Sequence, residues 1–575
     1  MQTRSSAVLL LALLASACAR PAAPSATDAQ HATRSGTQQI VASMFSEPAG
    51  LHQEVTNPTP SAGSVPGLDE LYTLVDGGGS YLDSDNVRQP WLMDALPTID
   101  NALWKVFPDG TMQTTWRLKS GVAWHDGAAV TSDDLRFTLD VYRDPEIGAV
   151  AISALKLIDS VEVADAQTMV LTWSRPYIDA DGLFGSAAAS SGAARVPPIF
   201  VLPQHILDDS FQNDKAGFFS LPYWRESFVG AGPYKIIEWA EGNHVMLAAN
   251  DNYILGRPHI DRIEVRFFTD RGALKAGLLA GAVQVHLGRG LNVDDVTQIR
   301  DKTQEVKVQL GGTLAGVLPI YPQFIDPDPP IVANVQFRRA LLQAIDRQEL
   351  TDTLNNGLGP VANSWVQPDQ PEGRAIDNRL VKYSYDPRAA AQMIEALGYA
   401  KGPDGMYQSA DGVPLSVGLM THEQNSFHVP ASLSVQTAWQ QLGLDVQLNV
   451  LPAARAFDLK TRATFPSFIL LSKGVLAAPD GYFTRHAIPL PDNNYAGGNA
   501  ARYGSAELDG LIDKYGRTIP FGDRMAVLGD IVHFQTDQLT MLPLFFQGAA
   551  FVIGSTRMKN VLAGQVSNAH QWEVD

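Results

Sequence analysis

The stretch Val229 to Val285, VGAGPYKIIEWAEGNHVMLAANDNYILGRPHIDRIEVRFFTDRGALKAGLLAGAVQV, constrains the fold more than any other. Gly230, Gly232 and Pro233 form an entry turn, because Gly accepts positive φ and Pro fixes its own. Tyr234 to Trp239 and Val245 to Ala248 are apolar-biased runs split by Glu241, Gly242 and Asn243, the pattern of a hairpin. Ile263 to Phe268 reads as a buried strand. Ala273 to Leu279 has helical spacing, and Gly281 suits the residue just past a helix end. Strand, turn, strand, strand, helix in close order requires a mixed α/β body.

At 575 residues the chain exceeds what one core usually serves. Its 45% apolar and 18% charged residues are those of a folded, water-soluble protein. The net charge of -18 argues against nucleic acid, which needs Lys and Arg to displace counterions. The front end differs. Arg4 precedes an apolar run, Ala7 to Leu14, followed by Ala15, Ser16, Ala17 and Cys18, the layout of a secretory signal. The run is too short to span a bilayer. Cys18 is the only cysteine, so no disulfide framework exists. Ala19 to Gln38, rich in Ala, Pro, Ser and Thr, reads as a flexible tether.

A second block, Trp116 to Tyr142, reads WRLKSGVAWHDGAAVTSDDLRFTLDVY. Trp116, Leu118, Val122 and Trp124 alternate as in half-buried strands. Asp126-Gly127 marks a tight turn, and Thr131 with Asp134 forms a capping pair for a helix carrying Leu135, Leu139 and Tyr142 on one face. Ser160 to Trp173 reads as two strands around Asp165-Ala166. Further on, Asn334 and Asp346 cap two successive helices, Asp386-Pro387 opens another, Ala431 to Leu442 is a helix ended by Gly443, and Ser505 to Tyr515 is a capped helix. Met541 to Ile553 is apolar enough for buried strands.

No pattern points to catalysis. His125 and Asp126 are neighbours whose side chains point apart, which suits a turn and packing role. His422 and His428 lack the i, i+4 spacing of a helical metal pair, and no cysteine lies nearby. Gly77-Gly78-Gly79 follows Asp76 and precedes no Lys-Ser/Thr, so it is a turn rather than a phosphate cradle. Neither a nucleophile elbow nor a zincin motif is present. No catalytic residue, metal or cofactor is expected.

The blocks containing Arg117, Gly121, Val122, Trp124, His125, Asp126, Gly127, Thr131 and Asp134, then Leu202-Pro203-Gln204-His205, then FRRALLQAIDRQEL, resemble a known family. They are similar to the extracytoplasmic solute-binding proteins of ABC importers, of the oligopeptide/dipeptide/nickel type, bacterial solute-binding protein family 5. Ala-Ser-Ala-Cys likewise resembles a lipobox, implying lipidation at Cys18. The resemblance implies an α/β, two-lobed periplasmic-binding-protein fold (type II, large cluster with an extra subdomain in lobe I), with a hinge of two crossover strands. The implied division is 1–17 signal peptide, 18–37 tether, 38–75 lobe I, 76–199 its extra subdomain, 200–269 lobe I again, 270–540 lobe II, and 541–575 back to lobe I. The crossovers are expected near Thr269 to Arg271 and near Thr540 to Pro543.

It also implies a monomeric binding protein outside the cytoplasm, in the periplasm or at the cell surface, held to the membrane by its lipid. It would give a small-molecule or peptide ligand to an ABC permease. Peptide-binding relatives place an Asp after the strand that reads Ser467 to Leu471 here, to pair with the ligand's amino terminus. The matching position is Ala477 or Ala478, with Asp480 slightly later. A buried ammonium without a carboxylate is costly, so this departure argues against a peptide held by that end. Lys473 and Arg485 would favour an anionic group instead. The expected cleft residues are Trp365, Asp480, Tyr482, Phe483, Arg485, Tyr495 and Tyr503 on lobe II, with Phe228, Gly230 and Gly232 on lobe I. Two rival readings share the sequence: a secreted two-lobed hydrolase, and a binding module serving a chemoreceptor or acting as a periplasmic chaperone.

Overall fold

The structure, a computed structural model, describes residues 37–56, 65–83, 87–147, 153–185, 199–288, 290–423, 425–452, 455–456, 458–474 and 479–575. The segments expected to be signal and tether, with Cys18, therefore lie outside the described residues except for Thr37. Among the described residues, no helix is long and apolar enough to cross a membrane.

Strand β1 (Gln39–Phe45) begins the first lobe, and helix α1 (Leu68–Val75) follows it. A separate sheet is built from β2 (Met93–Ala95), β3 (Trp104–Val106), β4 (Met112–Leu118), β5 (Ile158–Asp165) and β6 (Thr168–Trp173). Between β4 and β5 lies α2 (Ser132–Arg143), opened by the expected capping box of Thr131 and Asp134. The alternation stops at Leu118, however: Val122 and Trp124 are buried in a turn, touching strand geometry only at an Ala123–Ala129 bridge. The hairpin predicted around Gly242 is present as β7 (Tyr234–Ala240) and β8 (His244–Ala249), with β9 (Arg262–Phe268) beside it. One core, including Ile40, Leu71, Trp91, Trp116, Leu171, Trp224, Ile263 and Trp572, fills this lobe.

Helices α3 (Arg271–Leu279) and α4 (Val293–Lys302) come next, either side of β10 (Val285–His286). They pack with Val41, Phe45 and Phe268 and with the feet of two long strands, β11 (Val306–Pro322) and β16 (Leu542–Ser555). Lobe II hangs from those strands. Its parallel strands are β12 (Ser416–His422), β13 (Asp445–Leu451) and β14 (Phe468–Leu470), with β15 (Lys473–Gly474) set against β11. One face carries α5 (Val335–Gln343), α6 (Arg347–Leu354), α7 (Pro387–Ala396) and α8 (His428–Leu442), around Phe337, Leu341, Ile394 and Trp439. The capping residues Asn334, Asp346 and Asp386 accept the predicted N–H groups. The other face carries α9 (Leu459–Ala463), α10 (Asp480–Phe483), α11 (Ala506–Arg517) and α12 (Phe521–Gln538), around Trp365, Ile469, Ile512 and Ile531.

A single sheet of eleven strands runs through both lobes in the order β13-β12-β14-β11-β16-β10-β1-β9-β8-β7, with β15 off the path. The first crossing, expected near Thr269 to Arg271, lies later in the chain, whereas the second, expected near Thr540 to Pro543, begins there, at Leu542, and runs along β16. Asp270 caps α3, which stays with the first lobe. The passage is made by β11 and β16 themselves. Against β16, β11 loses register between Leu310 and Leu314 and again between Leu314 and Gly316. Extra residues on one strand of a pair bend it and raise its twist. Gly311, at φ +73°, permits the bend. Away from these strands the lobes meet where Arg175 pairs with Asp513 at 2.7 Å and the Ile178 N–H donates to Gly516 O at 3.2 Å.

Candidate functional site

In open parallel sheets, ligands sit outside the carboxyl ends of the strands. In lobe II those ends are His422 on β12, Leu451 on β13 and Leu470 on β14. Just past them the sequence supplies Asn425, His428, Ser472 and Lys473. The His422 and His428 rings meet edge-on, 4.4 Å apart. Burial first, then the nearby His422 and Arg462, push His428 down to about 3, so its ring is neutral. Its Nε2 accepts the Ser472 N–H at 2.8 Å and lies 2.9 Å from Ser472 Oγ. That nitrogen is therefore committed to holding the β14–β15 turn. Among the described residues no group of three or more metal-binding side chains gathers.

Lys473 lies on β15 opposite Val317. Paired residues in an antiparallel ladder share a face, so its side chain enters the layer holding Val317 and Tyr321. Its Nζ sits 3.2 Å from the Tyr482 ring centroid and donates to Gly498 O at 3.2 Å. Burial first, then the Arg462 charge, hold this ammonium well below its usual range. Arg462 projects from α9, half-buried, with one guanidinium nitrogen donating to Ala456 O at 3.3 Å. Burial also raises the Tyr321 hydroxyl, helped by Tyr482. Beside these groups, Tyr321, Tyr482, Phe483, Asn499, Tyr503 and Thr540 line a small pocket with free room of about 10 Å³. The Asn499 side chain bridges Thr484 O at 3.1 Å and Tyr503 O at 2.8 Å, which fixes the pocket's floor.

Four expected lobe II residues come together. Trp365 packs against Phe483 with ring centroids 5.3 Å apart and tilted, and its indole donates to Gln535. Tyr482 lies under Lys473, and Tyr503 packs on Phe324 at 4.7 Å. The other three stand apart. Asp480 is exposed in the first turn of α10. Arg485 is exposed and paired with Asp509 at 2.5 Å. Tyr495 sits half-buried on a left-handed turn at φ +60°. Ala477 and Ala478 lie outside the described residues.

The lobe I trio lies in its own core. Phe228 meets Tyr72 at 5.5 Å and Tyr223 at 5.1 Å. A methyl group on Gly230 would lie 2.2 Å from Val75 O, and one on Gly232 2.5 Å from the Asp76 nitrogen. Their glycines thus admit a neighbouring chain rather than a ligand. His125 locks the loop: its Nδ1 accepts the Gly230 N–H at 3.2 Å and its Nε2 donates to Gly232 O at 3.1 Å. Sequence reading missed Arg462, Tyr321 and Asn499. The alternation of Val317, Pro319 and Tyr321 on β11 could have flagged Tyr321; Arg462 and Asn499 lie in segments without period.

Residues 97–491 match the bacterial extracellular solute-binding proteins, family 5, middle part. A putative ABC transporter peptide-binding protein of Brucella ovis is 26% identical over 394 residues, 67% of each chain. The oligopeptide-binding protein AppA of Bacillus subtilis is 25% identical over 417 residues, 70% of each. Among solved structures, the periplasmic EDTA-binding protein EppA superposes with a TM-score of 0.72 at 18% identity, covering 94% of this chain and 97% of its own. NikZ of Campylobacter jejuni, in complex with Ni(L-His), gives 0.69 at 20% identity, covering 93% and 99%. The chain therefore belongs to the bacterial extracellular solute-binding proteins of family 5, and is a binding protein rather than an enzyme.

Proposed function

We propose that this protein captures a small organic solute, a peptide or peptide-like compound, between its lobes and delivers it to an ABC permease. It works as a monomer outside the cytoplasm. Residues 1–17 act as the export signal, Cys18 carries the lipid that holds the molecule to a membrane, and residues 18–37 form the tether. One lipidated end, read this way, ties the protein to the surface without spanning it. The observation that carries the reading is the pair of crossover strands, bulged between Leu310 and Gly316, that joins two separately packed lobes. Such a joint allows closure by bending, and closure is favoured by a ligand that touches both sides. Trp365, Tyr482, Phe483 and Tyr503 supply an aromatic lobe II wall, as small-molecule sites commonly do.

The test is native mass spectrometry of the purified protein, followed by a thermal-shift screen of peptides, opines, sugars and metal chelates. A true ligand at a hundred times its Kd should stabilise by about 2.7 kcal/mol. Failure of every class to bind would end the proposal. Metabolic labelling with palmitate should mark the wild-type chain and leave Cys18→Ser unlabelled; equal labelling of both would remove Cys18 as the anchor.

A further inference from the structure

Lys473 is a cation in search of an anion. An ammonium offers three donors. At Lys473 one is used on Gly498 O and the Tyr482 face takes up part of the charge. The buried guanidiniums elsewhere are treated differently. Arg338 donates to the carbonyls of Val332, Gln538 and Leu539, and Arg347 to those of Ala362, Tyr383 and Pro543. Those cations are satisfied by backbone and serve the fold. Arg485 and Lys275 have carboxylates, Asp509 and Asp295. Among the described residues neither Lys473 nor Arg462 has an acidic partner, and the next four residues, Val475 to Ala478, include no acid. Asp480, the next carboxylate along, is exposed and makes no ion pair with Lys473.

The position matters as much as the charge. Lys473 follows the carboxyl end of β14, and its Nζ lies over the ring of Tyr482, one of the residues that line the small pocket with Tyr321 and Asn499. Two cations here, with no acid, oppose each other unless an anion joins them. We propose that Lys473, with Arg462 behind it, receives a carboxylate of the bound solute on the lobe II wall. The Tyr482 face orients the ammonium, and its free donors point the charge-assisted bond. This rests on the solute-binding reading and names the chemical class of the solute: an acid, held by its negative end.

The test uses the full purified protein and matched pairs of probes: tripeptide free acids against their carboxamides, and linear dicarboxylates against their diamides. Calorimetry and thermal shift should show the acids binding about tenfold or more tightly than the neutral partners. Lys473→Met should erase that preference, and Lys473→Arg should keep most of it, which separates charge from folding. Amides binding as tightly as acids in wild type and in Lys473→Met would overturn this proposal and leave the solute-binding reading standing. Absence of binding by every probe, and by every compound of the wider screen, would overturn both.

Discussion

Asp76 is the residue whose environment is most at odds with its chemistry. It lies in the first lobe, wholly buried, and accepts the N–H groups of Gly77 and Ala231, each at 3.0 Å. Burial nevertheless pushes it up to about 8, the donors, including the Tyr72 hydroxyl, pulling weakly the other way. It is thus protonated in the fold at neutral pH and ionised in the unfolded chain. A raised folded value gives stability that is complete below the ordinary 3.8 and is lost as pH rises towards 8. Asp76→Asn should accordingly be more stable than wild type at pH 7, by on the order of 4 kcal/mol, with the gap closing near pH 4; denaturant melts at several pH values would read it. The histidines have the opposite sign. Burial depresses His125 and His286 to about 4 and His428 to about 3. Their stability is present above 6.5 and drains away as pH falls, so acidification from 6.5 to 4 should lower the melting temperature. A flat melting temperature across that window would refute it. Gly232→Ala is expected to cost about 1–3 kcal/mol, since its methyl group meets the Asp76 nitrogen. The need for Gly230 and Gly232 was legible from their Gly/Pro run. Their role was not, because a glycine signals close approach without saying to what.

At the scale of elements, the caps were the most readable feature. Thr131 with Asp134, Asn334, Asp346, Asp386 and Ser505 all sit where their side chains meet free N–H groups. Capping is local chemistry, so sequence suffices. The hairpin of β7 and β8 was equally local. The long strands were not. Met541 to Ile553 looked like several buried strands, yet Leu542 to Ser555 is one. An apolar run states burial but not how many partners share it, and the register slips that divide β11 leave no periodic trace. One substitution tests how β11 serves the candidate site. A methyl group on Gly316 would lie 2.4 Å from Lys473 O. Gly316→Ala should therefore shift β15, weaken binding of an acidic solute about tenfold, and quicken amide exchange at Ser472 and Lys473. Unchanged exchange there would show the strand tolerates the crowding.

For the molecule as a whole, the family landmarks sufficed for the two-lobed fold, and the candidate aromatic wall was expected only from aromatic residues in lobe II segments without period. The places where the lobes touch were not, since Arg175 and Asp513 are 338 residues apart. Both are partly exposed, so the pair is worth about 0.2–1 kcal/mol. Asp513 is also held within its helix by Arg517 at 2.9 Å. Arg175→Gln removes only the bridge, and should raise the open fraction up to about fivefold, detectable as a larger radius of gyration without ligand. The same variant should bind ligand correspondingly less tightly.

The shared sheet has a further consequence. Its strands follow one another from β13 in one lobe to β7 in the other, so the two halves share one hydrogen-bonded frame although β11 slips register against β16 on the way. Heating should produce one calorimetric peak, and a solute gripped by lobe II alone should slow unfolding of the hairpin at Gly242, at the opposite margin of the protein.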